Sequence, residues 1–311
     1  MPVTIGPGFA VGPGFAVSAG FNGFNTPSSI GNGTSQRLTS IAVAASTGNF
    51  VAVGYIPYNG YPISAYSVDG SSWSSPATMA GSTTLAYMTS VTVNSAGLFV
   101  AVGANATPST SPLYATSSNG STWTTPALMN GSAASAQMQS VAVNSSGLFV
   151  AVGYRNISNY PVYATSTNGS NWITPAQMNG STTPARMSSV TVNAAGLFVA
   201  VGSDSNNYPV YATSTNGSTW TTPATMNGST TFAYMNSVTV STLGQFVAIG
   251  FDSSFYSVYA TSTNGSTWTT PARMDGGIAA TMYGVAVNTQ GLFVAVGRLE
   301  SNGWAAYAVS K

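Results

Sequence analysis

The chain has 311 residues, of which only 4% are charged, and its net charge is +1. Against a typical charged fraction of about 25%, this balance excludes a basic patch for nucleic acid and an acidic field for cations. There is no cysteine and no histidine, so disulfide staples, thiol nucleophiles, imidazole bases and dense metal sites are excluded as well.

The first 23 residues read as an extended Gly/Pro-rich tail. Gly6-Pro7-Gly8-Phe9-Ala10-Val11 is followed at once by Gly12-Pro13-Gly14-Phe15-Ala16-Val17. A stretch of this kind cannot build a core of its own. Phe9, Val11, Phe15 and Val17 are therefore expected to be buried in a neighbouring copy by strand addition. The alternative is a tail that covers its own subunit or stays disordered. Head-to-tail contacts that do not close produce filaments. The N-terminus has neither a basic n-region nor an apolar h-region. No run approaches about 18 apolar residues, so no membrane span is expected.

From residue 48 onward one stretch recurs six times. Its clearest copy is Gly97-Leu98-Phe99-Val100-Ala101-Val102-Gly103. The closing glycines are Gly54, Gly103, Gly153, Gly202, Gly250 and Gly297, in steps of 49, 50, 49, 48 and 47. A period in the forties carried by short apolar runs is the signature of a β-propeller. Residues 88–132 show the grammar of one unit. Ser90–Asn94 alternates as a strand, Ser95-Ala96-Gly97 turns, and Leu98–Val102 is a strand buried on both faces. A variable loop leads to a third strand, Leu113–Ser117. Ser118-Asn119-Gly120-Ser121 is a hairpin turn in which Asn-Gly is expected to supply two positive-φ residues. Trp123–Ala127 is expected as a fourth strand, and Pro126 suits an outer edge. The fold predicted is an all-β, six-bladed propeller of four-stranded antiparallel blades over residues 24–311, preceded by the tail.

Small residues in the first strands suit a crowded axis, and Trp and Pro in the fourth suit the rim. Loops between the second and third strands then share one face with the connections between blades. The last unit stops after three strand-like runs. Phe24-Asn25-Thr26-Pro27-Ser28-Ser29-Ile30 parallels Trp123–Met129, so Phe24, Pro27 and Ile30 are expected to anchor the missing outer strand and close the ring. The closing strand belongs either to the same chain or to another subunit. Phe15-Ala16-Val17-Ser18, nine residues earlier, resembles Tyr307-Ala308-Val309-Ser310, and is a surplus third-strand segment.

The turn Ser166-Thr167-Asn168-Gly169-Ser170-Asn171-Trp172 recurs at Ser117, Ser214 and Ser262, and reads Ser67-Val68-Asp69-Gly70-Ser71-Ser72-Trp73 in the first copy. It resembles the Asp-box hairpin of sialidase-like and related bacterial propellers. With the Phe-Val-Ala-Val-Gly strand it resembles bacterial repeats of the form FVAVG…SxDGxxW, over five full units and one partial one. The chain departs from the usual Asp-box by one residue fewer between acid and Trp, and by Asn for Asp in four of five copies. In those families the motif is structural, so the resemblance implies fold and packed tryptophans rather than activity. The arginine triad and Tyr-Glu pair of a sialidase are not matched.

Asp69, Asp204, Asp252, Asp275 and Glu300 are the only acids. Asp204 and Asp252 occupy equivalent loops and read as loop-stabilising residues rather than a catalytic pair. Neither an enzyme nor a cofactor is expected. Contact residues are sought on the variable-loop face, at Tyr61, Tyr160, Tyr208, Tyr256 and Trp304. Sequons at Asn105, Asn119, Asn130, Asn156, Asn168, Asn179, Asn216, Asn227 and Asn264, with further ones at Asn32 and Asn144, point to a glycosylated extracellular surface. Most of them are Asn-Gly-Ser, which turn formation also explains. The expected role is an extracellular, non-enzymatic subunit that polymerises with itself through its N-terminal segment. The second expectation is a carbohydrate-binding propeller that uses the variable face.

Overall fold

Six antiparallel sheets follow one another along the chain in the computed structural model. It describes residues 36–310 apart from 58, 81, 83–84, 106–109, 132–134, 180–183, 230 and 275–278. Blade 1 contains β1 (Arg37–Val43), β2 (Phe50–Tyr55), β3 (Pro62–Ser67) and β4 (Ala77–Thr78). Blade 2 contains β5 (Ala86–Val93), β6 (Phe99–Asn105), β7 (Pro112–Ser117) and β8 (Ala127–Leu128). Blade 3 contains β9 (Ala136–Val143), β10 (Phe149–Arg155), β11 (Pro161–Ser166) and β12 (Ala176–Gln177). Blade 4 contains β13 (Ala185–Val192), β14 (Phe198–Asp204), β15 (Pro209–Ser214) and β16 (Ala224–Thr225). Blade 5 contains β17 (Ala233–Val240), β18 (Phe246–Asp252), β19 (Ser257–Ser262) and β20 (Ala272–Arg273). Blade 6 holds β21 (Ala280–Val287), β22 (Phe293–Leu299) and β23 (Ala305–Val309). Within each sheet the strands pair in chain order. This is the six-bladed β-propeller the period predicts. The tail 1–23 and the closing strand 24–30 lie outside the described residues, and among those residues blade 6 has three strands.

The first strands surround a central cavity of about 470 Å³, lined by small side chains such as Ser90, Thr92, Ser140, Ser189 and Ser237. Each first strand carries a bulge, for example between Met88 and Ser90. The bulge leads to a serine rung joining each blade to the next. The Ser90 hydroxyl accepts the Val141 amide at 3.2 Å, Ser140 accepts Val190 at 3.1 Å, and Ser237 accepts Val285 at 3.3 Å. Blade 6 has Gly284 at this position and carries no such hydroxyl.

The core is a series of layers between blades. Val100, Val102 and Met129 of blade 2 pack on Met138, Val141, Phe149, Ala151 and Trp172 of blade 3. The same arrangement joins blades 1 and 2, 3 and 4, and 4 and 5. Val247 and Ile249 of blade 5 pack on Met282, Val285 and Phe293 of blade 6. The equivalent valines of blade 6, Val294 and Val296, are only half-buried. Blade 1 has a small cluster of its own, Leu38, Ala52 and Ile63, with Ile41, Ile56 and Trp73 against it.

Two local expectations are corrected. The fourth strand covers only Ala127–Leu128, and Trp123 to Pro126 lie outside it. The turn geometry explains why. Asn119 Oδ1 accepts the Ser121 and Thr122 amides at 3.0 and 2.8 Å, and the Trp123 indole N–H donates to the Gly120 carbonyl at 3.1 Å. The chain coils around the Asn side chain and straightens only after Pro126, which has no N–H to give a ladder. The turn also needs one positive-φ residue rather than two. Gly120 has φ 79°, while Asn119 is not among the positive-φ residues and serves as the acceptor. In blade 1, Asp69 Oδ1 accepts Ser71 and Ser72 at 2.8 and 2.7 Å, and these two amides hold its carboxyl well below the usual carboxylate range.

Candidate binding face

The loops joining second to third strands lie beside the connections between blades. Ala185 N donates to Asn159 O at 2.7 Å and Ala233 N to Asn207 O at 2.9 Å. The variable loops therefore crowd one face, and the tight turns occupy the other.

Five of these loops share one plan. A residue in the left-handed region precedes an aromatic whose carbonyl accepts the N–H at the end of the second strand. The left-handed residues are Gly60, Asn159, Asn207, Phe255 and Gly303. The aromatics are Tyr61, Tyr160, Tyr208, Tyr256 and Trp304, bonded to Ile56, Arg155, Asp204, Asp252 and Leu299 at 2.8–3.0 Å. The predicted contact residues are thus one equivalent turn position, filled by an aromatic in every blade but the second, which has Ser111. The four tyrosines are half-buried, and Trp304 is 68% exposed. Asp204 and Asp252 also build the turn. Asp204 Oδ1 accepts the Asn206 and Tyr208 amides, and Asp252 Oδ1 accepts those of Ser254 and Tyr256, all within 3.0 Å. Burial opposes ionisation of Asp252, but the Tyr256 amide and the Arg273 guanidinium, at 2.6 Å, outweigh it and hold the carboxyl low. The Arg273 guanidinium lies 4.0 Å from the Tyr256 ring centre. Glu300 accepts from Thr281 and Arg298. Among the described residues no group of three or more acids converges as a metal site.

The structure brings together a different set, at the starts of the innermost strands and the ends of the second strands paired with them. Arg37 Nη1 donates to the Tyr55 hydroxyl at 3.2 Å, and the Tyr55 ring lies 5.9 Å from that of Tyr87. The Tyr87 hydroxyl donates to Gln137 Oε1 at 3.0 Å, which also accepts Gln139 Nε2 at 3.1 Å. Gln137 Nε2 donates to Asn156 Oδ1 at 2.7 Å. Arg186 places its guanidinium 4.8 Å from the Tyr154 ring centre and donates from Nε to Asn159 Oδ1 at 3.1 Å. The result is a belt of aromatic rings and amides across blades 1 to 4, at the loop-side end of the channel. Burial, followed by the charges of Tyr154 and Tyr55, pushes the Tyr87 hydroxyl up to about 12, so it remains a donor at neutral pH. Asn156 Nδ2 is buried without a hydrogen-bond partner. Sequence reasoning missed the belt because its members lie in separate units. The signal present was variation. Arg37, Tyr87, Gln137, Arg186, Tyr234 and Thr281 fill one repeat position with four residue types.

The sequons divide by place. Asn119, Asn168, Asn216 and Asn264 sit exposed on the tight turns of the opposite face, each with its Oδ1 occupied by two backbone amides. Asn130 and Asn227 donate from Nδ2 to Thr174 and Thr270 at 2.7 Å. Asn179 is exposed, and Asn105 is half-buried with its carbonyl accepting the Ser111 amide.

No protein-family profile matches the chain, and no curated protein matches it in sequence. Solved structures share the fold. The BP39L lectin of Burkholderia pseudomallei superposes with a TM-score of 0.64 at 15% identity, over 93% of this chain and 89% of the lectin. The Hadza microbial sialidase Hz136 gives 0.64 at 14% identity, over 89% of this chain and 66% of the sialidase. A protein of unknown function from Dyadobacter fermentans gives 0.62 at 12%, over 90% and 95%. The chain is a propeller of the kind seen in lectins and sialidases, and it spans about two thirds of that sialidase's length. Among the described residues no helix is long and apolar enough to cross a membrane.

Proposed function

We propose that the protein is a non-enzymatic, extracellular structural subunit that assembles head-to-tail with copies of itself through residues 1–23. The observation carrying this reading is the occupancy of blade 6. Its third-strand place is taken by β23, as the other five are by β3, β7, β11, β15 and β19. The third-strand segment Phe15–Ser18 therefore has no matching place in its own ring, and a second copy offers it pairing. A surface with so few charges also gives little repulsion between copies. Full-length protein is expected to form filaments in negative-stain micrographs, and protein lacking residues 1–20 to stay a folded monomer. A truncated protein that forms the same filament, or an intact protein that stays monomeric at high concentration, would overturn the reading.

We propose that residues 24–30, whose origin in the same chain or another the sequence leaves open, come from the same chain as the fourth strand of blade 6. Connector length supports this. Ile30 stands where Met129 stands in blade 2, and six residues take it to Gln36, as six take Met274 to Ala280 and seven take Met129 to Ala136. In blade 2, Leu113 faces Leu128. Ala306 holds the place of Leu113 in blade 6, so Ser29 would face Ala306. Paired strands bring Cα atoms within about 5.5 Å, inside disulfide range. In this cysteine-free chain, oxidised S29C/A306C is expected to give an intrachain disulfide on a non-reducing gel. An intermolecular ladder would place the strand in another subunit, and free thiols would reject the pairing.

A second reading, carbohydrate binding on the loop face, draws on the belt from Tyr55 to Arg186 and its buried Asn156 amide. Rings and amides side by side suit a ligand with apolar C–H faces and hydroxyl edges. The lectin named above has this fold at low identity, which adds support for the architecture alone. Specific glycan-array binding by protein that forms no polymer would favour this reading over the first.

A further inference from the structure

Phe255 occupies a backbone conformation that its sister loops give to other residues. Its φ is 59°, and the equivalent residues are Gly60, Asn159, Asn207 and Gly303. Glycine and asparagine enter this region at little cost, whereas a bulky side chain there is strained. The closest comparison is blade 4, whose loop Asp204-Ser205-Asn206-Asn207-Tyr208 matches Asp252-Ser253-Ser254-Phe255-Tyr256 position for position. Both loops close with the same hydrogen bond, Asn207 N to Asp204 O at 3.0 Å and Phe255 N to Asp252 O at 2.9 Å. The turn itself therefore does not require phenylalanine.

Burial does not explain the residue either, because Phe255 is 49% exposed. Its ring stacks on Phe251 with centroids 5.7 Å apart and planes 7° from parallel. Phe251 in turn meets Tyr234 at 5.0 Å, and Tyr234 meets Phe232 edge-on at 5.1 Å. Four rings form a ledge on the loop face of blade 5. Phe251 stacks on one face of Phe255, and the residue as a whole stays about half exposed. A conformationally costly aromatic kept half in water points to a contact made by its free face.

We infer that Phe255 is a stacking platform for a neutral pyranose ring, an added site on the blade-5 loop. The chemistry of its surroundings selects this class. An aromatic face accepts the apolar C–H face of a sugar, and the hydroxyl edge needs hydrogen-bonding groups alongside. Arg273, 4.0 Å from the centre of the adjoining Tyr256 ring, and Asp252, whose carbonyl accepts the Phe255 amide, supply these groups, and they neutralise each other at 2.6 Å, so a charged ligand finds no net field to complement. This inference rests on the carbohydrate reading and is independent of filament assembly.

The test is titration of the full chain with methyl pyranosides of gluco, galacto, manno and N-acetylglucosamine type, followed by saturation-transfer NMR. Wild type is expected to bind at least one of them. Phe255→Asn, which installs the residue of blade 4, is expected to weaken that binding at least tenfold. It should not lower the melting temperature, since relief of strain offsets the lost stack. Leu243→Ala, at an exposed tight turn on the opposite face, is expected to leave binding unchanged. Equal binding by Phe255→Asn overturns the platform and leaves the carbohydrate reading standing. Failure of every pyranoside to bind wild type overturns both. A melting temperature lowered by several degrees with binding intact would make Phe255 a packing residue.

Discussion

Trp172→Ala is expected to destabilise the protein by about 3–5 kcal/mol, the cost of truncating a large buried aromatic. The side chain is 5% exposed and belongs to the layer between blades 2 and 3, against Val100, Val102 and Met129. Its ring centre lies 6.3 Å from that of Tyr114 in the preceding blade, and its indole N–H donates to the Gly169 carbonyl at 2.9 Å. Truncation would empty the outer part of that layer and leave a carbonyl acceptor without its donor. Trp73 is the internal comparison. It occupies the same turn in blade 1, but it is only half-buried and packs beside Phe50 of its own blade, with ring centres 6.4 Å apart. Trp73→Ala is expected to cost less than half as much. Urea denaturation of the two variants measures the difference. Unchanged stability of Trp172→Ala with a loss of sugar binding would make these tryptophans ligand platforms instead.

Gly153→Ala is expected to cost about 3 kcal/mol or more, at the upper end for overpacking, because the obstacle is backbone. Gly153 ends the apolar strand of blade 3 opposite the bulge of β9, where the register slips between Val152 and Gly153. A Cβ there would penetrate the Gln137 carbonyl oxygen and crowd the Met138 Cα. The closing glycines of the other five blades meet the equivalent carbonyl in the same way. No side-chain movement relieves this clash. The bulge itself would have to open, and with it the Ser140 rung to Val190 in blade 4. Gly147, six residues earlier, is glycine for another reason. Its φ is 84° and a Cβ would meet nothing within 4 Å. Gly147→Ala is strained only by its backbone angle, about 1–2 kcal/mol. Melting temperatures of the two variants separate the causes, and equal shifts would refute the bulge argument.

The amino-acid sequence by itself determined the number of blades, the order of strands and the places of the turns. These are local or periodic features. An Asn-Gly after a strand bonds to amides two and three residues away, and an apolar run bounded by glycines recurs at the length of one blade. Asn168, Gly169 and Trp172 were therefore legible before any contact between units was known. The closing glycines were legible only as period markers. That each makes room for the carbonyl of a bulge became visible once Gly153 stood beside Gln137. The fourth strand was read too long because the coil around Asn119 uses side-chain acceptors, which an alternation pattern does not register. Tyr61, Tyr160, Tyr208, Tyr256 and Trp304 were legible as loop aromatics, and the structure shows them to be turn residues at one equivalent position in five of the six blades. Tertiary structure alone decided which side chains meet. Tyr87 and Gln137 are fifty residues apart, and Ser90 and Val141 fifty-one, and their contacts exist because adjacent blades lie face to face. The same holds for Phe255, whose aromatic side chain is plain in the sequence but whose strained backbone and half-open ring arise only when the loop closes over Phe251.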